Sequence, residues 1–338
     1  MNPTVSVGIA GYGYWGPNLA RNFDGLPGAK IGAVCDSSPE RLGHARGNLP
    51  QAAMFADFQE MLDQADLDAV VVATPARTHH ALAKAALLAG KHVMVEKPMA
   101  TSTAECDDLI RLAEDTGLTL MVGHTFLYSD AVREIIRIIA SGEIGEIRYI
   151  NCQRLNLGLF QKDINVAWDL APHDLSILLH VMGGLPQIVN CQGHAHINPN
   201  VEDVANISLT FAGMRFATVQ NSWLEPRKVR QITFVGSHGM IVYDDLELRE
   251  KIRVYDVRVD FPRHYEDFAE FQYSYHYGEC RIPHLDQKEP LRILASHFID
   301  CIRRRSLPDS CGNRGREVVR VLEACSESLR GQGCPVHL

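Results

Sequence analysis

Apolar residues fall in two different rhythms along this chain, and the change comes near residue 145. Up to about residue 125, short β-rich runs alternate with helical stretches, the pattern of a parallel sheet with crossover helices. The strand-like runs are Val5–Ile9, Lys30–Cys35, Leu67–Ala73, Val93–Glu96 and Leu118–Val122, in a series of about six strands. The helical ones are Trp15–Phe23, Pro39–Gly47, His79–Ala89 and Thr103–Thr116. Ser38 before Pro39 reads as an N-cap followed by the first helical position.

From Ile147 onward the runs alternate or are β-branched: Ile147–Leu155, Gln187–His194, Ala205–Phe211, Phe216–Trp223, Val229–Val235, Met240–Tyr243 and Ile252–Val257. They predict an antiparallel sheet, with a helix at His173–Met182 set before the second run. Residues 258–287 carry aromatics, His and Pro without a period and read as a long functional or interface loop. Two helices, Leu291–Arg305 and Arg316–Leu329, close the chain. The expected organisation is therefore a Rossmann-type α/β domain over residues 1–125, then an α+β domain with a large, mostly antiparallel open sheet over 126–338.

Composition narrows the partners. The chain has 338 residues, 46% hydrophobic and 22% charged, near the globular average, and its net charge of −8 disfavours nucleic acid or an anionic membrane. No apolar run reaches the roughly 20 residues of a membrane span. Met1-Asn2-Pro3-Thr4 carries no basic segment, so no signal peptide is expected and a cytoplasmic location is. Nine scattered cysteines without a CxxC pair fit reduced thiols, with Cys311 and Cys334 the expected exposed ones. Fifteen dispersed histidines give no metal-ligand spacing, and no metal is expected.

Gly11-Tyr12-Gly13-Tyr14-Trp15-Gly16 follows a strand and opens a helix. Its glycines permit a tight turn, backbone approach to a pyrophosphate and close helix–strand packing, and free N–H groups at the helix start favour an anion. Asp36 ends the next strand, where a carboxylate accepts from the adenosine ribose hydroxyls and repels the 2′-phosphate of NADP. NAD is the expected cofactor, ahead of NADP. Arg41 reads as a solvated helix-face charge. Thr74, Pro75 and His79 follow a buried strand, and Glu96-Lys97-Pro98 follows the next, at the ends where open α/β sheets place ligands. Lys97 is then a functional candidate, set against an ordinary surface lysine.

Together with Trp168-Asp169-Leu-Ala-Pro-His173-Asp174, these motifs resemble the glucose–fructose oxidoreductase/inositol dehydrogenase family, written Gfo/Idh/MocA. The match spans almost the whole chain. It implies that Lys97, Asp169 and His173 converge beside the nicotinamide and the substrate carbinol. It also implies a homodimer or homotetramer. Many members carry a glycine-rich run before the aspartate; Asn165-Val-Ala-Trp168 stands here instead, so their substrate pocket is not carried over.

The residues agree with that triad. Asp169 and His173 share one face if their segment is helical. A histidine suits removal of a hydroxyl proton, and an ammonium can stabilise the developing alkoxide. Further candidates for the sugar are His124, Tyr128, Arg154 and Asn156, and Trp168 for the nicotinamide wall; packing roles stand beside each. Arg227 and Lys228 read as a solvated turn, with a phosphate clamp as the other reading. Tyr265, Tyr273, Tyr275 and Tyr277 lie in the long loop. Within the family the chain looks most similar to sugar and nucleotide-sugar 3-dehydrogenases or 3-ketoreductases, including those serving antibiotic biosynthesis. Cyclitol or aminoglycoside dehydrogenation, a glycosidase that recycles NAD, and a non-catalytic NAD sensor are the alternatives.

Overall fold

The computed structural model describes residues 4–161, 164–260 and 274–338. Its first elements are β1 (Val5–Ala10), α1 (Gly16–Asp24), β2 (Ala29–Cys35), α2 (Pro39–Asn48), β3 (Ala53–Phe55), α3 (Phe58–Gln64), β4 (Ala69–Val72), α4 (His79–Leu88), β5 (His92–Val95), α5 (Thr103–Thr116) and β6 (Leu120–Val122). There follow α6 (Asp130–Ala140), β7 (Ile147–Leu157), α7 (Val166–Met182), β8 (Ile188–His194), β9 (Val204–Thr210), β10 (Phe216–Ser222), β11 (Leu224–Gly236), β12 (Met240–Asp244), β13 (Ile252–Asp260) and β14 (Ser274–Arg281). The last elements are α8 (Pro290–Arg304), α9 (Gly312–Arg330) and β15 (Val336–His337).

Residues group into two compact units, Met1–Ser129 with Lys288–Glu323 and Asp130–Gln287 with Ala324–Leu338. The first is a six-stranded parallel sheet in the order β3-β2-β1-β4-β5-β6. Every residue of β1 and β4 is buried, as a sheet covered on both faces requires. Helix ends follow local chemistry. Ser38 caps α2 by accepting from the Arg41 N–H, Ser102 caps α5 by accepting from Glu105, and left-handed Gly117 ends α5.

Division of the chain at 125/126 is the simpler expectation; here Lys288–Glu323 returns to the first unit through contacts that no local pattern encodes. Phe298 meets Phe23 edge to face at 6.2 Å, Arg292 and Arg303 donate to the carbonyls of Gly25 and Gly28, and Ser310 donates to Val122 O. The short pair β3 and α3 also escapes the periodicity, since β3 is only three residues long.

The second unit is a nine-stranded sheet, β14-β13-β12-β11-β7-β10-β9-β8-β15, antiparallel except where β7 and β10 run together. Helix α7 covers the face that holds Ile150, Cys152 and Arg154 of β7, and Ala217, Val219 and Asn221 of β10. Three elements of this unit differ from the expectation: α6, which buries Ala131, Val132, Ile135 and Ile138, β15 at the sheet edge, and β14. Residues 258–287 correct the expected loop, because β13 runs on to Asp260 and β14 pairs with it. Tyr275 and Tyr277 stack at 6.5 Å on exposed β14, while Tyr265 and Tyr273 lie outside the described residues. Cys334 and Cys280 are the exposed thiols; Cys311 is buried instead, beside an isolated bridge to Met121. No helix among the described residues is long and apolar enough to cross a membrane.

One buried ion pair locks α7 onto the sheet. Arg154 Nε and Nη2 donate to Asp174 Oδ2 and Oδ1 at 3.0 and 2.7 Å, with side chains 6% and 2% exposed. Two charges taken out of water are tolerated only through such paired geometry, and removing one leaves the other uncompensated. Arg154 is thereby corrected from a sugar or phosphate contact to an internal clamp. We expect Arg154→Met to destabilise the protein by about 3–5 kcal/mol, and Arg154→Met with Asp174→Leu to recover most of that loss. Urea unfolding checks it; a single variant within about 1 kcal/mol of the parent contradicts it.

Candidate active site

In the first unit the parallel sheet brings the turns after β1, β2, β4, β5 and β6 to one edge. After β1, Gly11 sits at φ +93°, and a Cβ on Gly16 would lie 2.2 Å from the Gly11 carbonyl, so the loop closes only with glycine at both positions. Above Gly13 the nearest protein atom to a built Cβ is Arg41 Nη1 at 3.6 Å. Helix α1 begins without a side-chain cap and without an acidic residue in its first turn, which leaves its N–H groups for an anion. Tyr14 is exposed and Trp15 partly so, flanking that turn with rings 5.4 Å apart.

Asp36 is buried at the end of β2, and its carboxylate accepts from the Tyr12 N–H at 2.7 Å and the Ser38 N–H at 2.9 Å. These bonds fix it across the mouth of the glycine turn. Arg41 is solvent-exposed on α2, and its Nη1 also comes to 3.6 Å from Asp36 Oδ2. An open cradle over Gly13, an uncapped helix start and a fixed carboxylate fit a dinucleotide: the pyrophosphate on the turn and the adenosine ribose at Asp36.

His79 is not presented to a ligand. It is buried, with Nδ1 2.8 Å from Pro98 O and Nε2 2.8 Å from Thr74 O, so its ring lies between the turns after β4 and β5 and, as a neutral imidazole, donates to one of the two carbonyls. Thr74 also accepts from Thr78 Oγ1 at 2.7 Å, tightening the Thr74-Pro75 corner. Glu96 is buried behind Lys97 and takes its N–H at 3.2 Å; burial pushes the Glu96 carboxyl up to about 7, against the pull of the Lys97 charge. His124 is buried with neither ring nitrogen bonded among the described residues, and burial, aided by the Lys97 charge, pushes it down to about 4. Half-buried Lys97 is therefore bordered by a carboxyl that resists ionising and an imidazole that resists protonation. Tyr128 belongs to the packing: it is fully buried and its hydroxyl bonds Ser310 Oγ at 2.9 Å.

In the second unit the expected helix starts only at His173. The helix instead begins at Val166, capped by Asn165 Oδ1, which accepts from the Trp168 N–H at 3.1 Å. Asp169 and His173 thus lie one turn apart on one helix, both partly accessible. Trp168 is half-buried and donates its indole N–H to Ser326 Oγ at 2.8 Å. Asn156 is half-buried near the end of β7, next to Gly158. Arg227 and Lys228 are exposed on a bulge of β11, between the pairs Leu224–Leu157 and Val229–Leu155.

Two residues of this unit were missed by sequence reasoning. Trp223 donates Nε1–H to Asp169 Oδ2 at 3.1 Å and is 1% exposed. Asn221 is fully buried, registered beside Arg154, with both amide atoms unbonded among the described residues. Neither stands in a motif, and only the strand register brings them to α7. Elsewhere in the first unit, a cavity of about 830 Å³ opens at the start of β5 and β6, lined by His92, Thr119, Arg305 and Leu307 among others. It holds none of the candidate residues.

A family model described as "Oxidoreductase family, NAD-binding Rossmann fold" matches residues 5–124, and the "GFO/IDH/MocA C-terminal domain" model matches residues 132–242. The chain is 28% identical over 270 residues to 2,7-anhydro-N-acetylneuraminate hydratase of Escherichia coli (strain K12), covering 74% of this chain and 70% of that one. It is 30% identical over 220 residues to UDP-N-acetylglucosamine 3-dehydrogenase of Acidithiobacillus ferrooxidans, covering 64% and 66%. A solved structure of that dehydrogenase superposes with a TM-score of 0.79 over 97% of this chain and 99% of the other, at 23% identity. Apo scyllo-inositol dehydrogenase from Lactobacillus casei likewise gives 0.79 over 100% and 99%, at 19% identity.

The shifted pair beside Lys97 predicts a pH signature. Between pH 4.5 and about 7 the folded chain holds a proton on Glu96 that the unfolded chain has lost, so this group makes stability fall as pH rises. Between about 4 and 6.5 the unfolded chain holds a proton on His124 that the folded one lacks, so this group makes stability fall as pH drops. The slopes oppose one another where they overlap, each spanning roughly 3 kcal/mol at about 1.36 kcal/mol per pH unit. Glu96→Gln is expected to uncover the acid-side loss, and His124→Phe the loss on raising pH. Urea unfolding from pH 4.5 to 7 on both variants tests this, and parallel curves for the two contradict it.

Proposed function

The chain belongs to the Gfo/Idh/MocA family of NAD-binding oxidoreductases, and from that premise we propose that it oxidises a secondary ring hydroxyl of a sugar or nucleotide sugar, or reduces the matching ketone. The observation that carries this reading is that one chain holds both a dinucleotide cradle with half-buried Lys97 and, one turn apart on α7, Asp169 and His173. Bound NAD supplies the acceptor for the hydride that leaves the carbinol carbon. His173 takes the hydroxyl proton as the carbonyl forms. The Lys97 ammonium hydrogen-bonds the developing alkoxide and disfavours premature protonation of the imidazole, and Asp169 orients the substrate hydroxyl or the ring. The run of reaction reverses without new groups.

The site acts, in this proposal, at C3 of a pyranose carried on a nucleoside diphosphate. Support comes from the match to a UDP-sugar 3-dehydrogenase and from exposed Arg227 and Lys228 on the β11 bulge opposite Asn156 of β7; Arg154 is instead held by Asp174. The match to a hydratase favours a second reading, in which oxidation is followed by reduction and NAD is recycled. Accumulation of free NADH separates the two.

Lys97→Ala and His173→Ala are each expected to lower kcat by on the order of 10²-fold, with NAD affinity little changed. Nucleotide sugars, free sugars, inositols and aminoglycosides form the panel, read by NADH absorbance. Near-normal turnover in either variant removes that residue from the mechanism.

Cofactor choice is proposed to rest on Asp36, whose fixed carboxylate meets the ribose hydroxyls and repels a 2′-phosphate. NAD is expected to bind at least about tenfold more tightly than NADP, and Asp36→Ser to narrow the gap. Calorimetric titration with both cofactors decides it, and tighter binding of NADP to the parent protein would contradict the assignment.

A further inference from the structure

We infer that Trp223 is a positioning residue for Asp169, and that the turn at Gly158 exists to seat its indole. The inference rests on the reading of Asp169 given above. An indole N–H can only donate, so the 3.1 Å contact to Oδ2 has one chemical sense: Asp169 accepts. One carboxylate oxygen is held by the protein, and rotation of the carboxylate about its bond to Cβ is arrested. A bond to a charged acceptor is the stronger kind, and burial of Trp223 at 1% exposure shields it from competing water.

The ring is itself held on two further sides. A Cβ on residue 158 would lie 2.7 Å from Trp223 Cδ1, closer than real Cβ atoms approach, so only glycine lets the chain pass there. The Gly158 N–H donates to Trp223 O at 3.0 Å, tying the same two residues through the backbone. Phe160 meets the indole edge on at 5.6 Å. Trp223 N–H donates to Asp203 O, and Glu202 accepts from the Asn165 amide at the start of α7. The indole therefore stands at the junction of the β7 exit, the β10–β11 connection and the first turn of α7. Its single polar atom is spent on Asp169. A residue present only to fill this space needs no N–H, and a phenyl ring would serve.

Trp223→Phe keeps most of the packing and removes the donor. In this chain kcat is expected to fall about tenfold, the usual scale for one hydrogen bond to a charged group, with NAD affinity unchanged. Gly158→Ala, which displaces the ring, should lower kcat similarly. In an Asp169→Ala background, Trp223→Phe should add nothing further, since it acts through the carboxylate. An equal loss in both backgrounds, or unchanged kcat in Trp223→Phe, overturns the proposal. The bond is read independently of turnover by the indole N–H resonances of the three tryptophans, assigned with Trp223→Phe. Asp169→Ala is expected to move the Trp223 resonance and speed its solvent exchange; an unmoved resonance overturns the bond. Normal turnover in Asp169→Ala overturns the reading of Asp169 itself, whatever the resonance does.

Discussion

Parallel pairing of β1 with β2 and β4, and of β4 with β5, delivers the turns that follow them to one sheet edge, and the chemistry of the first unit depends on that register. A slip by one residue would turn the fully buried faces of β1 and β4 over. It would also part Asp36 from the Tyr12 N–H that holds it. Polar residues are few within these strands (Ser6, Lys30 and His92), and the candidate groups stand where the strands end. Asp36, Thr74 and Glu96-Lys97 all stand at such ends. His79 packs between two of those turns, with a backbone carbonyl of each within 2.8 Å and its one N–H donated to one of them, which buttresses the Lys97 corner.

The second unit solves a different problem, that of holding ionisable side chains on a helix laid over a sheet. Arg154 and Asp174 spend their charges on one another, fixing α7 one residue beyond His173. Trp223 restrains Asp169 one turn earlier. In the proposed mechanism the reacting side chains are thus each supported by a buried neighbour that never meets the substrate. Such support sets orientation, on which proton transfer depends more steeply than on affinity.

Local pattern made much of this legible. Five of the six strands alternating with helices, the glycine turn, Asp36 and Glu96-Lys97 could be read because each is local: a run of apolar residues, a turn type, a charge at a strand end. The same holds for most strands of the second sheet. What stayed hidden is non-local. Arg154 read as a ligand because its partner lies on another element, and Tyr128 because Ser310 is 182 residues away. Trp223 was counted as a strand residue, since nothing near it in sequence announces a donor aimed at α7. That helix was expected only from His173, although Asn165 caps it ahead of Val166. The open face over which β14 and its tyrosines lie gave no period at all.

In the proposed function, hydride leaves a ring carbon of a sugar while Lys97 and His173 manage the proton. The most direct test is the fate of the carbon-bound hydrogen. A UDP-N-acetylhexosamine deuterated at C3, incubated with the protein and NAD, should yield NADH carrying one deuterium by mass spectrometry, with a 3-keto sugar as the other product. NADH formed without deuterium, or a sugar product in which C3 keeps its label throughout, would contradict the claim.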